Sequence, residues 1–435
     1  MQSAIAELLF SKTDSKLNLV NFDQIEAHWR EKVLKLGLES PESVYLAIPE
    51  NIADLATVVK VAAQEKMGII PCGNGSKLDW GGLTKQSSLL VSTQKCDRII
   101  EHAVDDLTVT VEAGVKLVDL QNQLKATNQF LPIDPAFPET ATIGGILATA
   151  DTGSLRQRYG GIRDLVLGIS FIRGDGEIAK AGGRVVKNVA GYDLMKLFIG
   201  SYGTLGVITQ VTFRTYPIPE TSQTLVITGE IAKIAQAIQL LRNSALTPTA
   251  ADLITVSVAK EIGLGENLAL LLRFQTISES IQAQAQELAI MVQDLDLAIA
   301  KYESEAENRL WNQVNNIVRN PQTSETTICK LGILPTAGVE LLQTLTQVAP
   351  DSKAMIHIGS GIGVVQLNSI EPNIITQSRN FCQAKNGFLS VLTAPQAIKQ
   401  TVDIWGYQGN ALGMMQTIKQ KFDPQNIFNC DRYLV

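Results

Sequence analysis

The stretch from Pro138 to Asp164, PETATIGGILATADTGSLRQRYGGIRD, constrains this chain more than any other. Five glycines (Gly144, Gly145, Gly153, Gly160, Gly161) stand among Ala141, Thr142, Ala148, Thr149, Ala150 and Ser154. Arg156, Arg158 and Arg163 are interleaved with the later ones. Glycine loses more backbone freedom on folding than any other residue, so a cluster of it marks places where a Cβ would block a backbone or a ligand. A second bare loop, PCGNGSKLDWGG, runs from Pro71 to Gly82. Two such loops far apart in sequence suggest one long ligand held in two places, and a dinucleotide is the natural candidate.

The surrounding pattern alternates. YLAIP (45–49) reads as a strand and 52–68 as an amphipathic helix capped at Gly68. GIIPCG (68–73) is a short buried strand leading into the first bare loop. Strands follow at 87–93 and 106–115, a helix at 118–128, a hairpin at 165–180 turning at Gly174–Gly176, and a long strand at 204–217. Residues 20–40 read as a polar amphipathic helix with no legible chemistry. After Glu220 the grammar repeats. Strands are expected at 224–229, 252–258, 268–275, 328–335, 355–368 (two strands) and 387–394. Helices are expected at 231–243, 280–295, 336–349 and 372–386. This is close to two split β-α-β units in succession, one domain made of two similar halves. The tail carries a helix and a turn at Asp423–Pro424.

Composition removes several classes of function. The 435 residues are 45% hydrophobic and 18% charged, with a formal net charge of −6. That is globular composition with no basic block, so nucleic-acid binding is not expected. No apolar run reaches a membrane span, and LALLLRF (268–274) has the length of a buried strand. The start, MQSAIAELLFSKTDSK, lacks the features of a secretory signal. Cys72, Cys96, Cys329, Cys382 and Cys430 are scattered, odd in number and free of any C-x-x-C pair. A reducing cytosol is therefore expected, without a disulfide framework or an iron–sulfur cluster. His28, His102 and His357 stand apart from one another and from the cysteines, so no metal site is expected.

Four segments carry candidate chemistry. Gly73-Asn74-Gly75-Ser76 follows a strand, and its N–H groups can form a nest for a pyrophosphate. It is neither a Rossmann loop, because Leu78 stands at the third glycine position, nor a Walker A loop, because no Gly-Lys-Ser/Thr follows. A plain glycine turn is the competing reading. Thr142-Ile143-Gly144-Gly145 can press its backbone on a ligand or pack against another backbone in the core. The segments 187–193 and 200–206 read as a ligand-facing rim or as a satisfied loop. His357, at a strand end in HIGSGIG, can face a substrate or serve the core.

The ordered set PCGNGS (71–76), PETATIGGILATADTG (138–153), RYGGIRD (158–164), VVKNVAGYDLMKLFIGSYGTLGVIT (185–209) and KFDPQNIFN (421–429) resembles the FAD-linked oxidases of the vanillyl-alcohol oxidase (PCMH) type. Within them it looks closest to the E subunits of glycolate oxidases (glycolate dehydrogenases). The resemblance implies an α+β chain: an N-terminal helical extension (1–40), a PCMH-type FAD-binding domain of two α/β subdomains (41–219), a ferredoxin-like cap (220–398) and a tail returning to the FAD domain (399–435). It implies that Pro71, Cys72, Gly73, Asn74, Gly75 and Ser76 meet the cofactor, with Gly73 to Ser76 on the pyrophosphate. Pro138, Thr142, Gly144, Gly145 and Ala148 would line it, joined by Gly153 and Tyr159. Val207 and Ile208 would offer backbone groups, and Lys187 and Asn429 would lie near the isoalloxazine.

Two departures qualify this. Some relatives attach flavin through a histidine in the first loop or a cysteine in the second. Here the first position falls near Ser76 and residues 138–164 hold no cysteine, so the FAD is expected to be noncovalent. The catalytic D subunits carry H-A-G-D-G-N-L-H in the cap, and this chain has His357-Ile358-Gly359-Ser360-Gly361-Ile362-Gly363-Val364. The acidic residue, the amide and the second histidine are gone. The expected function is hydride transfer from a short, glycolate-like 2-hydroxy acid to FAD. Electrons would pass to a partner, with D-type and iron–sulfur F-type subunits as companions. The expected place is the cytoplasm, with any membrane association made through a partner. Two alternatives stay open: a self-sufficient FAD-dependent alcohol or hydroxy-acid oxidase with His357 or Tyr192 as base, and a non-catalytic assembly subunit that keeps the fold.

Overall fold

The strand Ile69–Cys72, which leads into the first bare loop, sits at one side of a four-stranded sheet ordered Asn18–Asn21, Tyr45–Ile48, Leu89–Ser92, Ile69–Cys72. The last three are mutually parallel, and the first runs antiparallel. The computed structural model describes residues 9, 11–12, 17–84, 87–183, 192–368 and 371–434. These divide into two units: 1–152, 161–217 and 407–435 form one, and 153–160 with 218–406 form the other.

In the first unit, the helix Ile52–Gln64 starts where Asn51 Oδ1 accepts the Asp54 N–H at 2.9 Å. It buries Leu55, Val58, Val59 and Ala62, the i, i+3, i+4, i+7 stripe of an amphipathic helix. It ends before Gly68, because Lys66 takes the left-handed φ of 53° expected of the glycine. The open edge of Ile69–Cys72 is covered by the C-terminal tail. Ile69 N–H donates to the Ile427 carbonyl at 2.6 Å, and the Ile69 carbonyl accepts from Asn429 N–H at 2.9 Å.

A second, wholly antiparallel sheet has the order Ile99–Ala103, Thr108–Glu112, Val207–Arg214, Val166–Ile172, Ile178–Gly182. The hairpin turns at Arg173–Glu177, where Gly176 has φ +83°. Between this sheet and the helices Leu117–Lys125 and Ile143–Thr149 lies a core containing Val111, Leu120, Ile146, Phe171, Phe198 and Phe213. Residues 20–40, expected to be one helix, give a strand end, a turn and the helix Ala27–Leu34.

The second unit holds one eight-stranded antiparallel sheet. Its order is Ala298–Glu303, Thr221–Gly229, Leu268–Thr276, Ala250–Ile254, Lys353–His357, Ile362–Leu367, Thr327–Gly332, Phe388–Thr393. The two four-stranded halves join where Ala250–Ile254 pairs with Lys353–His357. Helices Ile231–Arg242, Ser278–Val292, Gly338–Val348 and Pro372–Ala384 share one core with the sheet through Ile234, Leu241, Leu288, Leu341, Leu345 and Ile375. The stretch 252–258 is not one strand. It leaves the sheet at Ile254, and Thr255 opens the helix Val256–Glu261. The hydroxyls of Thr255 and Ser257 both donate to the Ser352 carbonyl, which overrides the strand preference of Val256 and Val258. The strand Ala298–Glu303 and the helix Ser304–Arg319 were not anticipated.

Candidate cofactor site

Thr142 organises the second bare loop. Its Oγ1 accepts the Gly145 N–H at 3.4 Å and caps the seven-residue helix Ile143–Thr149. That helix is bonded to the antiparallel sheet's rim. Gly144 N–H donates to the Ala113 carbonyl at 2.8 Å and Ile143 N–H to Val115 at 2.9 Å. A Cβ on Gly144 would lie 2.9 Å from the Ala113 Cβ, so this glycine is needed for close packing of protein on protein. The same holds for Gly73, whose Cβ would lie 1.9 Å from Thr142 Oγ1. The two bare loops therefore meet. Asn74 Nδ2 also reaches the Thr140 carbonyl at 3.4 Å.

Around their meeting point opens a cleft of about 790 Å³, part of it open to solvent. From the first loop it is lined by Pro71, Cys72, Gly73, Asn74, Gly75, Ser76, Lys77, Leu78 and Trp80, with Thr93 beyond. From the second come Thr142, Gly144, Gly145, Ala148 and Thr149. Tyr202, Gly203, Gly206, Val207 and Ile208 supply a third wall, and Asn429 and Arg432 a fourth. All belong to the first unit.

The structure thus gathers thirteen of the seventeen residues expected at the cofactor, from Pro71 through Ser76, Thr142, Gly144, Gly145, Ala148, Val207, Ile208 and Asn429. Pro138 does not line the cleft. Gly153 and Tyr159 do not either, and they count with the second unit. They lie in the one piece of the motif, 153–160, that is grouped with the second unit. Lys187 lies outside the described residues. Tyr192 is exposed.

Arg432 is the main residue that the sequence did not reveal. Its guanidinium is buried and donates to the Leu78 carbonyl and, at 2.7 Å, to that of Trp80. Gly82 N–H returns a bond to the Arg432 carbonyl at 2.9 Å. Burial pulls the Arg432 pKa down to about 10, against the pull of Asp79. Nothing in a single arginine near a chain end signals that it clasps a loop some 350 residues earlier. Lys77, also in the wall, pairs with the buried Asp151 at 2.8 Å. Asp151 accepts the Ala136 N–H at 2.9 Å as well. Lys419 supports the tail by donating to the Thr204 and Phe428 carbonyls, each at 3.0 Å.

The polar character of the cleft fits a dinucleotide. The N–H groups of Asn74, Gly75 and Ser76 find no acceptor among the described residues. Asn429 donates through Nδ2 to the Tyr202 carbonyl, while its buried Oδ1 has no partner there. Buried polar groups are almost always paired, so the buried Asn429 Oδ1, beside a row of N–H groups open to the cleft, is in keeping with a ligand that pairs with them. Tyr202, at φ 52°, stacks on Tyr433 with centroids 5.2 Å apart and gives the third wall a flat apolar face. Burial holds its hydroxyl protonated. Burial likewise pushes the Cys72 thiol up to about 12, and Sγ donates to the Val91 carbonyl at 3.7 Å.

In the second unit, His357 is 1% exposed and its Nδ1 lies 2.5 Å from Asp252 Oδ1. Ser154 Oγ donates to the other carboxylate oxygen of Asp252. His357 therefore has a buried partner, whereas a working base needs reach to a substrate proton. Among the described residues no group of three or more His, Cys, Asp or Glu is arranged to hold a metal.

The fold is the mixed α+β fold of PCMH-type FAD-binding proteins, and the homologues of this chain are FAD-dependent oxidoreductases. Residues 44–182 match the family model described as FAD binding domain. The chain is 25% identical over 416 residues to the glycolate oxidase subunit GlcD of Bacillus subtilis, covering 88% of this chain and 87% of that protein. It is 37% identical over 169 residues to the glycolate oxidase subunit GlcE of Escherichia coli, which is 38% of this chain and 47% of that one. It is 34% identical over 177 residues to the mitochondrial D-lactate dehydrogenase [cytochrome] of Arabidopsis thaliana, 41% of this chain and 31% of that one. Of the last two relatives the match thus spans less than half the length. A solved chitooligosaccharide oxidase shares the fold, with a TM-score of 0.68 at 14% identity over 98% of this chain and 97% of that one.

Proposed function

We propose that the chain is the FAD-binding, E-type subunit of a glycolate oxidase-like complex acting on a short 2-hydroxy acid. The observation that carries this is the meeting of both bare loops and the C-terminal tail around one cleft whose walls hold unpaired N–H donors and the Asn429 acceptor. When bound, FAD supplies a two-electron acceptor for the hydroxyl-bearing carbon, and the product is the 2-oxo acid. The chain's own residues bind and orient. Asn74, Gly75 and Ser76 offer N–H groups to the pyrophosphate, and Thr142 fixes the loop opposite. Tyr202 and Trp80 exclude water, and Asn429 offers an acceptor at the tail side.

The raised pKa of Cys72, the one cysteine in the wall, leaves it no thiolate to attack a flavin, and none of the three histidines lines the cleft. This supports noncovalent FAD. The cap sequence His357 to Val364 supports an E-type rather than a D-type subunit. Electrons pass, in this reading, to a D-type and an iron–sulfur F-type partner, and the similarity to two glycolate oxidase subunits supports a multisubunit complex. No helix of the described residues is long and apolar enough to cross a membrane.

The test is anaerobic. The purified chain is mixed with glycolate, D-lactate or D-2-hydroxyglutarate, alone and with co-expressed partners, and flavin bleaching is followed. Bleaching only with partners supports the E-subunit reading. Bleaching by the isolated chain replaces it with a self-sufficient oxidase, and turnover that survives an emptied flavin site replaces it with an assembly role.

A further inference from the structure

The helix Ala27–Leu34 stands directly behind the loop Gly73–Ser76. Trp29 and Val33 anchor it in a small core with Ile70, Leu78 and Leu90. Trp29 presses on the loop: a Cβ on Gly75 would lie 2.8 Å from the indole Cζ3 and 3.2 Å from Lys32 Cδ. The Lys32 ammonium lies 5.2 Å from the Trp29 ring centroid and donates to the Asn74 carbonyl at 3.1 Å. Lys32 is not itself a lining residue of the cleft.

Two consequences follow from elementary geometry and charge. The carbonyl and N–H of one trans peptide point in opposite directions. Lys32, by holding the Asn74 carbonyl on the helix side, turns the Gly75 N–H to the other side. Gly75 N–H has no acceptor among the described residues. The ammonium also places a positive charge behind the row of free N–H groups, an arrangement that favours an anion in front of them.

We infer that Lys32 is a positioning residue for the diphosphate of the bound dinucleotide, so that the N-terminal helix is a working part of the cofactor site. This rests on the FAD reading above. Lys32 acts through the Asn74–Gly75 peptide and through its charge. Partial burial lowers its pKa and the Asp79 carboxylate pulls the other way; an anion in front of the loop acts in the same direction as Asp79.

The experiment titrates FAD into full-length apoprotein and reads flavin fluorescence for wild type, Lys32→Met and Lys32→Arg. Low and high salt are compared, and apoprotein melting is recorded in parallel. Lys32→Met is expected to weaken FAD about tenfold at low salt and less at high salt, with unchanged apoprotein melting. Lys32→Arg is expected to restore most of the affinity. An affinity for Lys32→Met within about twofold of wild type overturns the inference, as does a loss that is salt-independent, not rescued by arginine and matched by a fall in melting temperature. A folded wild-type chain that takes up no FAD overturns the reading of the site itself, which is a different result.

Discussion

Gly73 and Thr142 are where the two glycine-rich loops touch: the position a Cβ would take on Gly73 lies 1.9 Å from Thr142 Oγ1. Gly73→Ala must therefore push the loops apart or break the Thr142 cap. A destabilisation of about 2 kcal/mol is expected, in the range of overpacked cores, together with loss of FAD uptake. Thr142→Gly in the same chain should return part of the stability. Urea unfolding of the single and double mutants checks this, and strictly additive effects would show that the two residues do not touch.

The tail is fastened to the first loop by Arg432. Arg432→Met leaves the Leu78 and Trp80 carbonyls without their buried donor, at an expected cost of about 2–3 kcal/mol. FAD affinity should fall with it, because Asn429 sits on the same tail. Limited proteolysis near the C-terminus, compared with wild type, reports the freed tail.

Asn429→Leu removes the one buried acceptor in the cleft with no partner among the described residues, and also the bond to the Tyr202 carbonyl. Weaker FAD binding by about tenfold is expected, together with a lower melting temperature of the FAD-free protein, because the Tyr202 carbonyl loses its donor and position 429 keeps a left-handed φ of 45°. Fluorescence titration separates the two quantities.

Cys96, Cys329 and Cys382 are buried, and each thiol is pushed up to about 12 from the ordinary value of 9.0. In that window the unfolded chain has lost these protons while the folded chain keeps them. Stability from this source is therefore complete below pH 9 and is lost as pH rises toward 12. Each thiol adds a slope of about 1.4 kcal/mol per pH unit at most. Urea melts across the window, with Cys329→Ala alongside, should show the decline and a shallower slope in the mutant.

His357→Gln breaks the buried contact to Asp252 and is expected to lower stability by about 1–3 kcal/mol. The flavin spectrum and the rate of substrate-driven bleaching per folded chain should change little. A bleaching rate lowered more than a hundredfold with unchanged melting would instead make His357 the base.

The sequence made much of this legible for physical reasons. The run Ala141 to Ala150 and the loop Gly73 to Ser76 are locally extreme in composition, and such extremes reflect backbone packing that few other residues permit. The reason was partly different from the one expected, since Gly73 and Gly144 first make room for Thr142 and Ala113. Seven of the eight strands of the second unit's sheet were readable from the alternation of strands and helices in two halves, and the edge strand Ala298–Glu303 was not. What stayed hidden was long-range. Arg432 clasping Trp80, Lys32 holding Asn74, and residues 153–160 counting with the other unit leave no trace in local pattern. The strand reading of 252–258 failed because Ser352, about a hundred residues away, captures the hydroxyls of Thr255 and Ser257.

The most direct measurement is the visible absorption spectrum of the purified full-length chain, before and after acid precipitation. A flavin envelope that leaves entirely with the supernatant as FAD is the expected result, in line with the protonated Cys72. A folded, colourless chain that takes up no added FAD would contradict the assignment of the cleft, and flavin retained on the precipitated chain would contradict noncovalent binding.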